Sequence, residues 1–155
     1  MIASHLENAT LRAASLEDEA GVAALLTSAG LPLEGVREAL TCFVVAEDAG
    51  EIVGVAGIEA CGVVGEHALL RSVAVAPSWQ KRGLGRALVT RAIADAEGRG
   101  VKALYLLTTT AEYYFPSFGF TAVPRDSVPD DVKATREYCG VCPSSATVMV
   151  REGSH

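Results

Sequence analysis

The sequence predicts a mixed α/β fold, and two observations carry that prediction. The predicted elements follow the order βααβββαβαβ…β, with strands clustered early and one strand–helix–strand crossover late. Asp48-Ala-Gly50 separates two β-rich runs in the manner of a hairpin turn. This order differs from the regular strand–helix alternation of a doubly wound sheet.

The first half of the chain predicts a strand, two helices and a hairpin. A helix begins at Ser15, where Asp18 stands three residues on as in a capping box, and Gly30 ends it before Pro32. The two hairpin strands flank Asp48-Ala-Gly50. The predicted bounds are the strand 10–14, the helices 15–30 and 33–40, and the strands 42–47 and 52–60.

The second half predicts a longer strand, an amphipathic helix and a buried strand in succession. Apolar residues recur at helical spacing from Gly83 to Glu97, and Gly98 and Gly100 end the pattern. The predicted bounds are the strand 67–76, the helix 83–97, the strand 101–107, a short helix 111–117, the strand 120–123, a weak helix 128–135 and the strand 146–150.

Composition narrows the class of protein. The 155 residues are half hydrophobic and 21% charged, so we expect one globular domain over 1–155. A net charge of −6 argues against nucleic-acid binding. No apolar run reaches the roughly 20 residues of a membrane span, and the polar start is unlike a signal peptide. We therefore expect a cytoplasmic protein that binds no membrane, with its four cysteines reduced.

A glycine-containing turn between a strand and a helix predicts an anion site. The residues are Gln80-Lys-Arg-Gly83-Leu-Gly85. Glycines let backbone N–H groups converge, and the helix N-terminus adds its positive dipole end, which suits a pyrophosphate. A P-loop would need Lys-Ser/Thr after the turn, and a dinucleotide fingerprint would follow a first strand.

The turn resembles the Arg/Gln-x-x-Gly-x-Gly/Ala motif of the GNAT N-acetyltransferase family. Val73-Ala-Val75-Ala-Pro77 and Ala111-x-x-x-Phe115-x-x-x-Gly119-Phe120 are similar to that family as well. The resemblance implies acetyl-CoA as cosubstrate, no metal, and a mostly antiparallel sheet of about seven strands, splayed between the fourth strand (67–76) and the fifth (101–107) and flanked by helices. The cofactor-binding residues it implies are Val73, Ala74, Val75, Gln80, Lys81, Arg82, Gly83, Leu84, Gly85, Arg86 and Phe115.

The acetyl-transfer residues depart from the family pattern. Arg71 stands where many members have a glutamate base, and a permanently charged arginine suits carboxylate binding instead. The alternative is a surface or interface arginine paired with Glu66 or another acid. His67 on the same strand face and Glu59 on the neighbouring strand are the candidate bases.

The family's thiolate-protonating tyrosine falls at Phe115 in this sequence. Tyr113, on the same short predicted helix, is the candidate that replaces it.

A closer resemblance concerns the acceptor. Leu106-Leu-Thr-Thr-Thr110 is similar to N-acetylglutamate synthases, and together with Ala29-Gly-Leu-Pro32 and Cys142-Pro-Ser-Ser-Ala146 it resembles the arsenic-resistance N-acetyltransferase branch. Both imply acetylation of the α-amine of a glutamate-like amino acid, and the second implies an organoarsenical or organophosphorus analogue. Arg71, Thr108 and Thr109 would bind the anions of this small-molecule substrate.

Other interpretations stay open. An N-acetylglutamate synthase-like enzyme is one alternative, and a non-catalytic sensor of acyl-CoA or arsenicals is another. Cys139-x-x-Cys142 is one pair without a second, so packing is favoured over zinc or a metalloid. A homodimer through sheet edges is left open, as is the native status of Gly153-Ser-His155.

Overall fold

The computed structural model describes residues 9–31, 33, 35–61, 66–81, 83–108, 114–124, 127–129 and 147–152. The strands in these ranges are β1 (Thr10–Ala13), β2 (Phe43–Asp48), β3 (Glu51–Cys61), β4 (His67–Val75), β5 (Ala103–Thr108), β6 (Thr121–Val123) and β7 (Thr147–Glu152). The helices in these ranges are α1 (Glu19–Ser28), α2 (Val36–Ala39) and α3 (Leu84–Gly98).

The described strands form a seven-stranded sheet in the order β1-β2-β3-β4-β5-β7-β6. β1 pairs with β2 and β2 with β3 in antiparallel fashion, and β7 pairs likewise with β5 and β6. The parallel pair is β4 with β5, which joins residues 67–69 to residues 103–105. The predicted mixed α/β fold with a mostly antiparallel sheet of about seven strands is confirmed.

The chain divides into two compact units. One comprises Met1–Gly57 and Ser72–Ala92, and the other Ile58–Arg71 and Ile93–His155. In the first, Val22 and Leu26 of α1 and Leu40, which follows α2, are buried in one cluster with Val45 and Val55 of the sheet. In the second, Leu69, Val128 and Val148 form a buried cluster, with Tyr105 and Leu107 packed against it.

The β2–β3 turn forms as the sequence predicts. Ala49 and Gly50 both have positive φ, 51° and 85°, which is the type I′ geometry that matches the twist of a two-residue hairpin. A positive φ is unfavourable for an L-residue such as Ala49, whereas a glycine such as Gly50 adopts it readily.

The first helix begins later than predicted. Ser15 and Asp18 do form the capping box, but Leu16–Asp18 is a 3₁₀ turn and α1 starts at Glu19. The Asp18 carboxylate accepts hydrogen bonds from the Ser15 N–H at 2.8 Å and from Arg12 at 2.7 and 2.9 Å. These bonds hold the entry in the tighter turn. Gly30 ends α1 as predicted, with φ 72°.

The second predicted helix, 33–40, is shorter in the structure. Gly35 has φ 78° at the N-cap, so α2 begins only at Val36, and a 3₁₀ turn over Leu40–Cys42 follows Ala39. The predicted helix 111–117 appears in its described part as a 3₁₀ turn over Phe115–Phe118. Most of the predicted helix 128–135 lies outside the described residues.

None of the helices in the described ranges has both the length and the apolar character of a membrane span.

Candidate functional site

The predicted anion site lies at the junction of β4 and α3. β4 ends at Val75, a 3₁₀ turn covers Pro77–Trp79, and α3 begins at Leu84. Lys81 and Gly83 both have positive φ, 65° and 85°. Left-handed residues in such a turn redirect successive backbone N–H groups, and the 15-residue helix that follows adds its N-terminal dipole. The strand–turn–helix order predicted from the sequence is therefore present, with positive φ at two described residues of the turn.

Side chains of the loop divide into structural and exposed ones. Trp79 is buried and anchors the turn. The Gln80 amide donates to the Val75 carbonyl at 3.1 Å, which ties the loop to the end of β4. Lys81 and Arg86 are exposed. Arg82 lies outside the described residues.

A glycine lets α3 approach the sheet closely. A Cβ built on Gly54 of β3 would lie 2.6 Å from Leu88 Cδ1 and 3.3 Å from Leu84 Cδ2. Both leucines are almost completely buried. The Leu84 side chain therefore packs the first turn of α3 against the sheet.

The backbone of β4 changes direction just before the predicted cofactor strand. Ser72 is buried and has φ 59°, a left-handed conformation that is rare for a non-glycine residue within a strand. After it, Ala74 packs into the core formed with α1 and α2, and Val73 and Val75 are half-buried. In the described part of the chain the pairing with β5 covers residues 67–69, and β4 continues to Val75.

Arg71 is a buried cation in the middle of β4. Its side chain is 0% exposed, and its Nη1 donates to Glu59 Oε1 of β3 at 3.0 Å, while the Glu59 side chain is 15% exposed. The pairing with an acid that the alternative expected is present, with Glu59 as the acid, but Arg71 is buried and does not lie on the surface. Glu66 instead lies 3.9 Å from the Lys102 ammonium.

His67 stands at the start of β4. Its ring meets Tyr105 of β5 edge-on, with centroids 6.2 Å apart. It lies four positions before Arg71, about 13 Å along an extended strand. An amino acid bound at Arg71 would have to extend along the strand to reach His67.

Two further predicted residues, Thr108 and Phe115, lie in β5 and in the 3₁₀ turn over Phe115–Phe118. Thr108 ends β5, half-buried and opposite Thr147 of β7. Phe115 is buried among aromatic rings, edge-on to Tyr114 at 5.2 Å and to Phe120 at 5.8 Å. Thr109, Tyr113, Cys139 and Cys142 lie outside the described residues.

Arg151 of β7 makes two long-range contacts that were not predicted from the sequence. Its Nε donates to the Phe118 carbonyl at 2.8 Å and its Nη1 to Glu97 near the end of α3. The contacts span 33 and 54 residues of sequence, so no local pattern could have indicated them.

A cleft of about 500 Å³ opens in the first unit, between α1, the hairpin turn and Pro77. Glu17, Asp18 and Glu51 supply its charged side chains, and the predicted site residues are absent from its described lining. Acidic walls repel a pyrophosphate, so this cleft does not fit the predicted cofactor. Among the residues that the structure describes, no group of three acidic, histidine or cysteine side chains is arranged to hold a metal ion.

Comparisons with known proteins agree with this geometry. The acetyltransferase (GNAT) family matches residues 11–120. This is more than half of the chain, so the chain belongs to the acetyltransferase (GNAT) family.

Two relatives by sequence are amino-acid acetyltransferases. The one from Ralstonia nicotianae is 33% identical over 141 residues, covering 83% of this chain and 30% of that protein. The one from Escherichia coli K12 is 35% identical over 66 residues, covering 43% of this chain and 15% of that protein. The chain thus spans less than a third of these relatives' length.

Two solved structures share the fold. N-acetylglutamate synthase from Neisseria gonorrhoeae, complexed with coenzyme A and N-acetyl-glutamate, gives a TM-score of 0.79 at 23% identity, covering 95% of this chain and 35% of that one. A Mycobacterium tuberculosis protein in complex with CoA and NLQ gives 0.78 at 21% identity, covering 94% and 99%. The GNAT fold predicted from the motifs is confirmed.

Proposed function

We propose that this chain is an acetyl-CoA-dependent N-acetyltransferase that acts on the α-amine of a glutamate-like amino acid. The observation that carries the acceptor class is the buried Arg71 guanidinium in mid-strand, because a fixed, planar cation is suited to binding a carboxylate. Membership of the acetyltransferase (GNAT) family supports the donor. The amino-acid acetyltransferase relatives support an amino-acid acceptor.

The donor would bind along the first unit's strand–turn–helix. The left-handed turn at Lys81 and Gly83 and the N-terminus of α3 suit the CoA pyrophosphate. Main-chain groups of residues 73–75 suit the amides of the pantetheine arm. In this proposal Arg82 and Gly85 contribute backbone N–H groups, and Phe115 is a further cofactor-binding residue.

The acceptor would be held by its charges. Arg71 takes one carboxylate, and the hydroxyls of Thr108 and Thr109 take the second anion. The α-ammonium must lose a proton before it attacks the thioester carbonyl, and His67 and Glu59 are the candidate bases. Tyr113 is the candidate acid for the departing thiolate.

The finer choice of acceptor rests on resemblance. Glutamate itself is supported by the fold shared with an N-acetylglutamate synthase. Organoarsenical and organophosphorus analogues are supported by the sequence similarity to the arsenic-resistance branch. A cytoplasmic location and a homodimer also stay predictions.

A substrate panel tests the proposal. The purified chain is incubated with acetyl-CoA and glutamate, glutamine, norvaline, phosphinothricin or arsinothricin, while thiol release and acetylated product are measured. We expect turnover of the dianionic acceptors and little of norvaline. CoA binding without turnover of any member would favour the sensor instead and would reject the enzyme.

A further inference from the structure

We propose that Glu59 occupies, in the substrate-free protein, the position that the substrate's carboxylate takes on Arg71. The arriving carboxylate displaces Glu59, and the displaced Glu59 then accepts the proton of the α-ammonium. This inference rests on the proposed function and gives a catalytic role to Glu59, the ion-pair partner of Arg71.

The burial of the two side chains sets the order of events. Arg71 is 0% exposed and Glu59 is 15% exposed, so solvent reaches the pair on the glutamate side. A ligand that arrives from solvent therefore meets Glu59 before it meets the guanidinium. Displacement of Glu59 is the step that opens Arg71 to a substrate.

Charge compensation explains why the resting pair exists. Burying a guanidinium without a counter-charge is strongly unfavourable. β3 and β4 are neighbours in the sheet, so Glu59 is presented to Arg71 by the backbone itself. When a substrate carboxylate replaces Glu59, Arg71 is paired with one anion at every stage. The exchange therefore avoids a buried guanidinium without a counter-charge.

The displaced carboxylate has a proton to accept. Glu59 takes a proton from the substrate's α-ammonium, and the neutral amine attacks the thioester carbonyl carbon of acetyl-CoA. The new C–N bond forms, the C–S bond breaks, and the second amine proton passes to the sulfur to give the CoA thiol. Glu59 then returns its proton to solvent through its exposed side and re-forms the pair with Arg71 as product leaves.

Glutarate separates binding from chemistry, because it carries two carboxylates and no amine. Its affinity is measured by calorimetry for the wild type and for Glu59→Gln. We expect Glu59→Gln to bind glutarate about tenfold more tightly, since the neutral amide competes less well for Arg71. In the same variant kcat for the amino-acid substrate falls about a hundredfold or more, since an amide accepts no proton.

A matched control and a conservative variant complete the design. Glu66→Gln removes the same charge from an acid paired with exposed Lys102, so glutarate affinity and kcat stay at wild-type values. Glu59→Asp keeps a carboxylate, so it retains more kcat than Glu59→Gln while its shorter side chain still loosens the pair. Where Glu59→Gln fails to fold, Glu59→Asp alone decides, through a severalfold gain in glutarate affinity.

The outcomes separate this inference from the proposed function. Turnover of glutamate with unchanged or weaker glutarate binding in Glu59→Gln overturns the exchange and leaves the activity standing. Tighter glutarate binding with no turnover of any amino acid in the wild type supports the exchange at Arg71 and rejects both the activity and the proton transfer. Full kcat in Glu59→Gln rejects Glu59 as the base.

Discussion

Substituting Gly54 by alanine tests whether the close approach of α3 to β3 positions the cofactor loop. The added Cβ would lie 2.6 Å from Leu88 Cδ1, about 1 Å inside ordinary van der Waals contact. Leu88 is 0% and Leu84 1% exposed, so neither side chain has solvent to move into. The strain must shift the first turns of α3.

The magnitude follows from two opposing effects. Overpacking a buried site costs about 1–3 kcal/mol, and replacing a strand glycine returns about 0.5–1 kcal/mol. We expect a net loss of about 1–2 kcal/mol, or a Tm lower by roughly 5 °C. Misaligned N–H groups at the helix start should also weaken acetyl-CoA binding about tenfold.

Urea unfolding followed by the fluorescence of Trp79, the single tryptophan, measures the stability, and KM for acetyl-CoA measures the site. Gly98→Ala at the end of the same helix is the control, because an added Cβ there has no neighbour within 4 Å. Wild-type stability and KM in Gly54→Ala would refute the idea that this contact seats the loop.

Other substitutions test separate contacts. The pKa of Asp18 is lowered from 3.8 to about 2, chiefly by side-chain hydrogen bonds from Arg12. Burial acts in the opposite direction and raises this pKa. The net stabilisation, about 1–2 kcal/mol after solvent screening, is present above pH 4 and lost as pH falls towards 2. Asp18→Asn should lose it at neutral pH in urea unfolding, and equal acid sensitivity of the two proteins would argue against it. Gly83→Val should raise KM for acetyl-CoA at least tenfold, because φ 85° strains a β-branched residue; an unchanged KM would remove the turn from the site. Arg151→Met should cost about 1–2 kcal/mol by removing the hydrogen bond that Arg151 donates to the Phe118 carbonyl, and wild-type urea stability would contradict this.

Local signals in the sequence predicted the fold well. The Ser15–Asp18 capping box, the Gly30 helix end and the Asp48-Ala-Gly50 hairpin each depend on residues within a few positions of one another, and each forms. The bounds of α2 were wrong because the left-handed Gly35 delays its start. The sequence alone does not show whether a glycine will have a positive or a negative φ.

Tertiary contacts in the candidate site were less predictable. The sequence predicted that Arg71 binds a substrate carboxylate, with an acidic side chain as the alternative partner, and the identity of that side chain depends on the register between β3 and β4. Ser72 carries no local sign of its left-handed backbone, since serine rarely adopts it in a strand. The glycines at 54 and 57 were visible in the sequence, but their purpose appears only where Leu88 and Phe43 lie against them.

The most direct test of the proposed acceptor is the ratio of kcat/KM for glutamate to kcat/KM for norvaline, measured in the wild type and in Arg71→Ala. The two acceptors share an α-amine and an α-carboxylate, and only glutamate has a second carboxylate. The account predicts a ratio of about a hundred or more in the wild type and a loss of most of it in Arg71→Ala, about 3 kcal/mol of discrimination. A wild-type ratio near one, or a ratio that Arg71→Ala leaves unchanged, would contradict it.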